Sequence, residues 1–273
     1  MIIAVIVAAG ALIGLSVGAL GGGGSVLAVP VLVYGLGQSA AQATTGSLLV
    51  VGVTALVGAV TAYRAGNMLL MRGLVFGVVA IGGAAAGAQA SSLVAQPVLL
   101  TAFAALLLVV AVMMAARQLR ARSGQPVASL ASHPDVPIVS FSPAFTCHCS
   151  RAIKVVVTAT VVGLLTGFLG VGGGFLVVPA LVIVLGLPMA YAAGTSLVVI
   201  TITSASALVV RASTGVHPNW GLVALLTGVA VLGGWAGARL TARADTSKLQ
   251  AAFTVLLLLV AGYTAWRAMP AIA

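Results

Sequence analysis

Residues 14–32 read GLSVGALGGGGSVLAVPVL, and residues 163–181 read GLLTGFLGVGGGFLVVPAL. The two stretches align at an offset of 149 residues without a gap, and carrying the register on to Leu48 and Leu197 gives 18 identities in 35 positions. Apolar composition inflates that count, but the matched glycines and the Pro30/Pro179 pair exceed what composition supplies. Each copy is a glycine cluster inside an apolar run, closed by a proline. An interior glycine costs a helix ~1 kcal/mol and a proline removes a backbone donor, so each copy predicts an interrupted helix. Irregular backbone at membrane depth persists only where protein buries it or where it lines an aqueous cavity. Paired interruptions at corresponding places in two halves point to a transporter's binding site.

The composition around the repeat sets the solvent. Hydrophobic residues make up 62% of the chain and charged residues 5%, with a mean hydropathy of +1.26. Ordinary soluble domains carry about 25% charge. The apolar runs are continuous rather than alternating, which favours helices over a β-barrel. The net charge of +10 does not read as nucleic-acid binding. The basic residues sit mostly at the ends of apolar runs, where orientation signals belong, and no aromatic–basic motif accompanies them. The N-terminus lacks the basic start of a signal peptide, and its glycine-rich end recurs in the second half, so it reads as a membrane segment.

Five apolar segments fall in each half: 2–20, 24–37, 44–63, 73–92 and 97–116, then 155–171, 174–187, 195–212, 220–238 and 249–266. The second of each half, at about 14 residues, gives only ~21 Å of helix against ~30 Å of hydrocarbon. It predicts a broken or re-entrant hairpin with the glycine-rich end before it. The expected class is an all-α polytopic membrane protein of two inverted repeats, with about 8–10 transmembrane segments. The polar, proline-bearing interval divides the chain into a first repeat, 1–122, a cytoplasmic linker loop, 123–150, and a second repeat, 151–273.

Charge counting sets the expected orientation. With five crossings per half, Arg64, Arg72, Arg117, Arg120, Arg122, Arg151, Lys154, Arg239, Arg243 and Lys248 share one side, and Arg211 and Arg267 take the other. The two halves are then inverted and both termini lie outside a cytoplasmic membrane. Counting the short segment together with its predecessor gives four crossings, parallel repeats and a weaker split. Gly83 and Gly87, matched by Gly233 and Gly237, read as close helix packing.

Small hydroxyl residues follow each glycine–proline segment: Thr44-Thr45-Gly46-Ser47 and Gly194-Thr195-Ser196. They are read as opening the third and eighth segments. A hydroxyl there serves as a helix cap, or as part of an anion site with the free N–H groups and positive end of the helix dipole; the two roles coexist. The only carboxylates are Asp135 and Asp245, and no expected span contains Asp, Glu or Lys. This argues against a carboxylate proton relay or an organic-cation substrate. The candidate anion contacts are Gly21, Gly23, Gly24, Ser25, Thr44, Thr45 and Ser47 in the first half. In the second they are Gly170, Gly172, Gly173, Gly174, Thr195 and Ser196. Coupling to an ion would use hydroxyls and carbonyls for Na⁺, or His217 for H⁺. No cofactor is called for.

The paired glycine-rich segments closed by P-x-L, each followed by a T-(G)-S-L element, resemble the TauE/SafE sulfite exporter family over essentially the whole chain. The resemblance implies transport of sulfite, sulfonates or related sulfur-containing anions across the bacterial or archaeal inner (cytoplasmic) membrane. The family's glycine–proline signature falls on Gly18, Gly21, Gly23, Gly24 and Pro30, and on Gly167, Gly170, Gly172, Gly173 and Pro179. The T-(G)-S-L element falls on Thr45, Ser47, Thr195 and Ser196. Gly46 departs from full symmetry: TTGS in the first copy stands against AGTS in the second, so the threonines do not superimpose.

The remaining features read more plainly. Arg64, Arg72 and Arg211 are orientation or snorkelling charges, with lining of an anion route as the alternative. Cys147-His148-Cys149 is a poor closed zinc site, since the other ligands would come from scattered histidines, and it reads as loop. Trp220 is an interfacial anchor; Trp235 packs in the core or lines a cavity. No nucleophile–base constellation falls within the spans, so an enzyme is not expected. The leading expectation is a secondary transporter of a small sulfur-containing anion in the lipid bilayer; a passive anion channel and a non-transporting scaffold subunit are the alternatives.

Overall fold

The computed structural model describes residues 2–22, 24–91, 96–122, 149–169, 174–212, 218–241 and 246–268, and their regular structure is helical throughout. The first half runs α1 (Ile2–Leu20), α2 (Ser25–Pro30) continuing into a π-helical turn (Val31–Gly35), α3 (Ala40–Arg64), α4 (Leu70–Ser91) and α5 (Gln96–Arg122). The second runs α6 (Cys149–Leu169), α7 (Gly174–Pro179) with its π-helical turn (Ala180–Val184), α8 (Met189–Ala212), α9 (Trp220–Thr241) and α10 (Thr246–Ala268). The expected linker lies outside the described residues except at its end, where Cys149 and Ser150 open α6.

The proline of each repeat explains the change of helix type. Its ring clashes with the carbonyl four residues back, and a wider coil relieves the crowding. Leu36 N–H donates to Val31 O at 3.1 Å, and Leu185 N–H donates to Ala180 O at 3.3 Å. Both short segments end on a left-handed glycine, Gly37 and Gly186, each with φ +65°. Gln38 N–H then donates to Leu32 O and Leu187 N–H to Leu181 O, both at 3.0 Å. The two halves thus repeat hydrogen bond for hydrogen bond here.

Helix directions follow from the glycine contacts. A Cβ on Gly52 would meet the Ser204 side chain, and one on Gly58 would meet Leu197, so α3 and α8 run antiparallel. Gly10 faces Leu226–Val229 and Gly18 faces Gly234, so α1 and α9 run parallel; Gly83 faces Thr160 and Gly87 faces Leu164, so α4 and α6 do as well. The most extensive helix pairs are α1 with α9 and α4 with α6, each joining one half to the other. These seams are built on missing side chains. A Cβ on Gly18 would stand 2.0 Å from Gly234 O, one on Gly87 2.1 Å from Leu164 O, and one on Gly167 2.0 Å from Ala84 O. The packing role expected for Gly83, Gly87, Gly233 and Gly237 is what the helices use, and Gly18 and Gly167 share it.

The outside of the bundle is apolar. Met71, Val209, Leu232, Leu259, Leu119 and Ile153 are each more than 60% exposed, a belt that water would not tolerate and acyl chains would. Buried Thr54, Thr166, Thr203 and Thr227 return their hydroxyl protons to the carbonyl four residues back, which satisfies a polar group without leaving the helix. Among the described residues, four helices (α3, α4, α8 and α9) are long and apolar enough on their own to cross a membrane. The protein is an all-α membrane protein.

Candidate functional site

α1 stops at the first glycine cluster because the chain must reverse there. Gly21 has φ +69° and Gly22 φ +153°, conformations that side-chain-bearing residues rarely adopt. The reversal is also too crowded for a side chain. A Cβ on Gly22 would lie 2.3 Å from Gly174 O, and one on Gly21 would lie 2.4 Å from Ala193. The two repeated segments therefore touch, Gly22 against Gly174, where the end of α1, the start of α7 and the first turns of α8 converge. Gly21, Gly22, Gly24 and Gly174 are buried. Gly23, Gly170, Gly172 and Gly173 lie outside the described residues.

The hydroxyls expected to face an anion hold this junction together. Ser25 Oγ–H donates to Gly22 O at 2.8 Å, and Ser25 N–H donates to the same oxygen at 3.2 Å. Ser196 Oγ–H reaches across 175 residues of sequence to Gly21 O, with Ala193 O at 2.8 Å as its second acceptor. Ser47 Oγ–H donates to Thr44 O at 2.9 Å. Thr195 Oγ1 accepts from Leu69 N–H at 3.1 Å and fixes the α3–α4 turn to α8. A hydroxyl whose proton is committed to a carbonyl turns only lone pairs outward, so in this conformation Ser25 and Ser196 brace the break, while Ser47 bonds within α3.

The structure corrects the placement of the hydroxyl clusters. α3 begins at Ala40 and α8 at Met189, so the clusters sit inside their helices rather than opening them. The N-cap of α3 is Ser39: its Oγ accepts from Gln42 N–H at 3.3 Å, and Gln42 Oε1 accepts from Ser39 N–H at 3.2 Å, a complete capping box. The backbone N–H groups at Thr45 to Ser47 lie beyond the first turn, where helical N–H groups are already bonded.

Two cavities flank the junction at opposite ends of the antiparallel α3–α8 pair. One, of about 40 Å³, is lined by Gly18, Thr61, Asn67, Ala193, Gly194 and Leu197 among others. The other, of about 70 Å³, is lined by Leu48, Ile81, Thr166, Gly167, Thr203, Ser206 and Arg211 among others. Gly18/Gly167 and Leu48/Leu197 are aligned pairs of the repeat, so the cavities correspond through it. They differ in charge: Arg211, half-buried, lines the second, where the repeat sets Ala62 in the first. Arg211 sits in the last turn of α8 and lines this cavity, a position compatible with either reading of it. Arg64 is exposed and Arg72 half-buried. Trp235 is 44% exposed rather than in the core, and the Arg239 guanidinium stacks 3.8 Å from its ring centroid.

No group of metal-ligating side chains occurs among the described residues; Cys147, His148 and His217 lie outside them. Sequence reading passed over Gln38. Its side chain is 7% exposed, and neither its Oε1 nor its Nε2 has a hydrogen-bond partner. The signal that could have found it is the repeat alignment, which sets it opposite Leu187.

Comparison with known proteins adds the following. The family model described as "Sulfite exporter TauE/SafE" matches residues 6–264. A "probable membrane transporter protein" of Xylella fastidiosa (strain Temecula1 / ATCC 700964) is 30% identical over 268 residues, covering 96% of this chain and 95% of the relative. Its counterpart in strain 9a5c is 29% identical over the same coverage. The "probable membrane transporter protein YunE" of Bacillus subtilis (strain 168) is 33% identical over 102 residues, 37% of each chain. No solved structure is significantly similar.

Proposed function

We infer the function from the premise that this chain belongs to the sulfite exporter TauE/SafE family, and we propose that it is a secondary transporter of a small sulfur-containing anion across the cytoplasmic membrane. One observation carries the reading: the two interrupted helices of the repeat meet, Gly22 on Gly174, between helices that run in opposite directions. Interrupted helices facing one another from two halves are the usual setting of a transporter's substrate site. The antiparallel run of α3 and α8 favours inverted over parallel repeats. It also puts Arg64 and Arg239 at one end of the bundle and Arg211 at the other, in agreement with the orientation by charge.

The anion cradle of this reading is the backbone of the glycine turns, with Ser25 and Ser196 as the groups that brace it closed and Thr195 holding the α3–α4 turn beside them. Movement of the α1–α9 pair against the α4–α6 pair would break the Ser196–Gly21 bond and release that hydroxyl toward a ligand. The seams α1–α9 and α4–α6 each join the two halves, so they would move as two rigid pairs about the α3–α8 axis. The lack of carboxylates in the spans favours an anion over a cation.

Purified protein in liposomes tests this. Uptake of sulfite, sulfoacetate or taurine under imposed Na⁺, H⁺ and voltage gradients is expected to saturate and to show counterflow. Linear, non-saturating flux would replace the transporter by a channel, and no flux of any of the three would leave a non-transporting subunit.

A further inference from the structure

The two cavities beside the glycine junction are related by the repeat in position but not in chemistry. Gly18 lines one and Gly167 the other, and each stands two residues before the end of its helix, α1 or α6. Each cavity therefore abuts the helix that leads into a glycine segment. Thr166, Ser206 and Arg211 line the second cavity. The repeat sets Val17, Val57 and Ala62 at the three matching positions. The first cavity has Thr61 and Asn67 as its polar members, and no charged side chain lines it among the described residues.

The α8 side of the second cavity is a single helix face: Thr203, Ser206, Ala207, Val210 and Arg211 recur at spacings of three and four. α3 and α4 supply apolar walls, among them Leu48, Ile81 and Ala84. A charge that serves orientation alone needs only to sit near the end of its span; it does not call for two hydroxyls in the same cavity. A guanidinium offers five N–H donors in a planar fork that fits two oxygens of one oxyanion, and apolar walls strengthen the pairing by lowering the local dielectric. Thr166 and Ser206 donate to the carbonyls four residues back, at 2.6 and 2.9 Å. Those carbonyls also belong to the helical ladder, so turning either hydroxyl toward a ligand strands no backbone group. The cavity has about 70 Å³ of free space, where a water molecule needs about 10–15 Å³. That admits a small anion with a short carbon chain, and excludes the acyl chains of a lipid.

We propose that this cavity is a loading site on the transport path for a small organic anion, with the Arg211 guanidinium holding the oxyanion head and Leu48, Ile81 and Val210 packing on the carbon chain. The related cavity at Ala62 lacks the cation, so the anion is held on the Arg211 side of the junction and released on the other. The inference rests on the transport reading. It adds the side of the junction on which the anion is held, and an apolar body as part of what is recognised.

Isothermal titration of the purified protein in detergent tests the site without requiring flux. Ethanesulfonate is the probe, and sulfite, which has no carbon body, is the comparison. Ethanesulfonate is expected to bind the unaltered protein, and to bind it more tightly than sulfite does. Arg211→Gln should weaken ethanesulfonate about ten- to a hundredfold, the loss of a hydrogen bond between charged groups. Ala207→Leu keeps the arginine and fills the space one turn before it; it should weaken ethanesulfonate about tenfold or more. No binding of ethanesulfonate, binding no tighter than that of sulfite, or an affinity untouched by either substitution overturns the proposal, and the Ala207 variant decides even if R211Q fails to fold. Displacement of ethanesulfonate by dioleoylphosphatidylglycerol would assign the cavity to lipid and overturn it too. Liposome uptake separates this site from the transport reading. Arg211-dependent binding without flux of any anion sinks the transport reading and leaves the site; saturable uptake with the same KM in both variants sinks the site alone.

Discussion

Removal of one hydroxyl, in Ser196→Ala, measures how firmly the two halves are tied at the glycine junction. Ser196 is fully buried, and its Oγ–H points at the buried Gly21 carbonyl. Gly21 follows the last turn of α1, so its oxygen does not belong to an uninterrupted helical ladder and relies on what the tertiary structure brings to it. A buried acceptor left without its partner costs about 1–3 kcal/mol. The companion variant Thr227→Val removes an equally buried hydroxyl whose acceptor, Val223 O at 2.6 Å, lies within its own helix; that carbonyl keeps its place in the ladder, so the expected cost is below about 0.5 kcal/mol. For a chain of this size 1 kcal/mol corresponds to roughly 2–4 °C of melting temperature. A loss of about 2 kcal/mol then lowers the midpoint of S196A by about 4–8 °C, with T227V within about 2 °C of the original. The assay is a slow thermal scan of purified protein in one detergent, followed by tryptophan fluorescence and checked for scan-rate dependence. Equal midpoints for S196A and T227V would refute the argument that the hydroxyl ties α8 to the break.

Three further outcomes follow from the packing and the helix directions. Gly18→Ala places a Cβ 2.0 Å from Gly234 O, a clash of backbone with no flexible end, and is expected to cost about 3 kcal/mol or more; Gly228→Ala, at an exposed helical site with nothing within 4 Å, should stabilise by about 0.5–1 kcal/mol, and the order of their midpoints checks both. Thr195→Val keeps the methyl group against Gly73 but deprives Leu69 N–H of its acceptor, so about 1–3 kcal/mol should be lost, read by the same thermal scan. Cys147 or Cys149 should react with an impermeant maleimide only from the cytoplasmic side, and a cysteine added after Ala273 only from outside; labelling of both from one side would overturn the five-crossing arrangement.

Much of the fold was legible because its signals are local. Hydropathy marked the apolar segments to within a few residues at most ends, since a span must be apolar along its own length. Gly83, Gly87, Gly233 and Gly237 announced close packing by their spacing. The errors arose where a local signal had two readings. Thr44, Thr45 and Ser47 looked like helix openers, yet α3 starts earlier, because Ser39 and Gln42 supply a full capping box and Ala40, Ala41 and Ala43 are good helix formers. Trp235 looked buried from its depth in the segment, but exposure depends on which face a neighbouring helix covers, and α1 packs on the glycine face of α9 instead.

By itself the sequence determined the membrane class, the duplication and the two interrupted helices, since composition, identity at a fixed offset and the glycine–proline pair are properties of the chain alone. Only the tertiary structure decided that each half hands a helix to the other, α1 to α9 and α4 to α6, and that Gly22 rests on Gly174. It alone decided that Ser196 reaches Gly21 and that the Gln38 amide is buried without a partner. The physical reason is one of distance. A hydrogen bond, a glycine contact or an unmet amide depends on atoms a few ångströms apart in space and, for Gly18 and Gly234, 216 residues apart in sequence, and no periodicity along the chain encodes which of them meet.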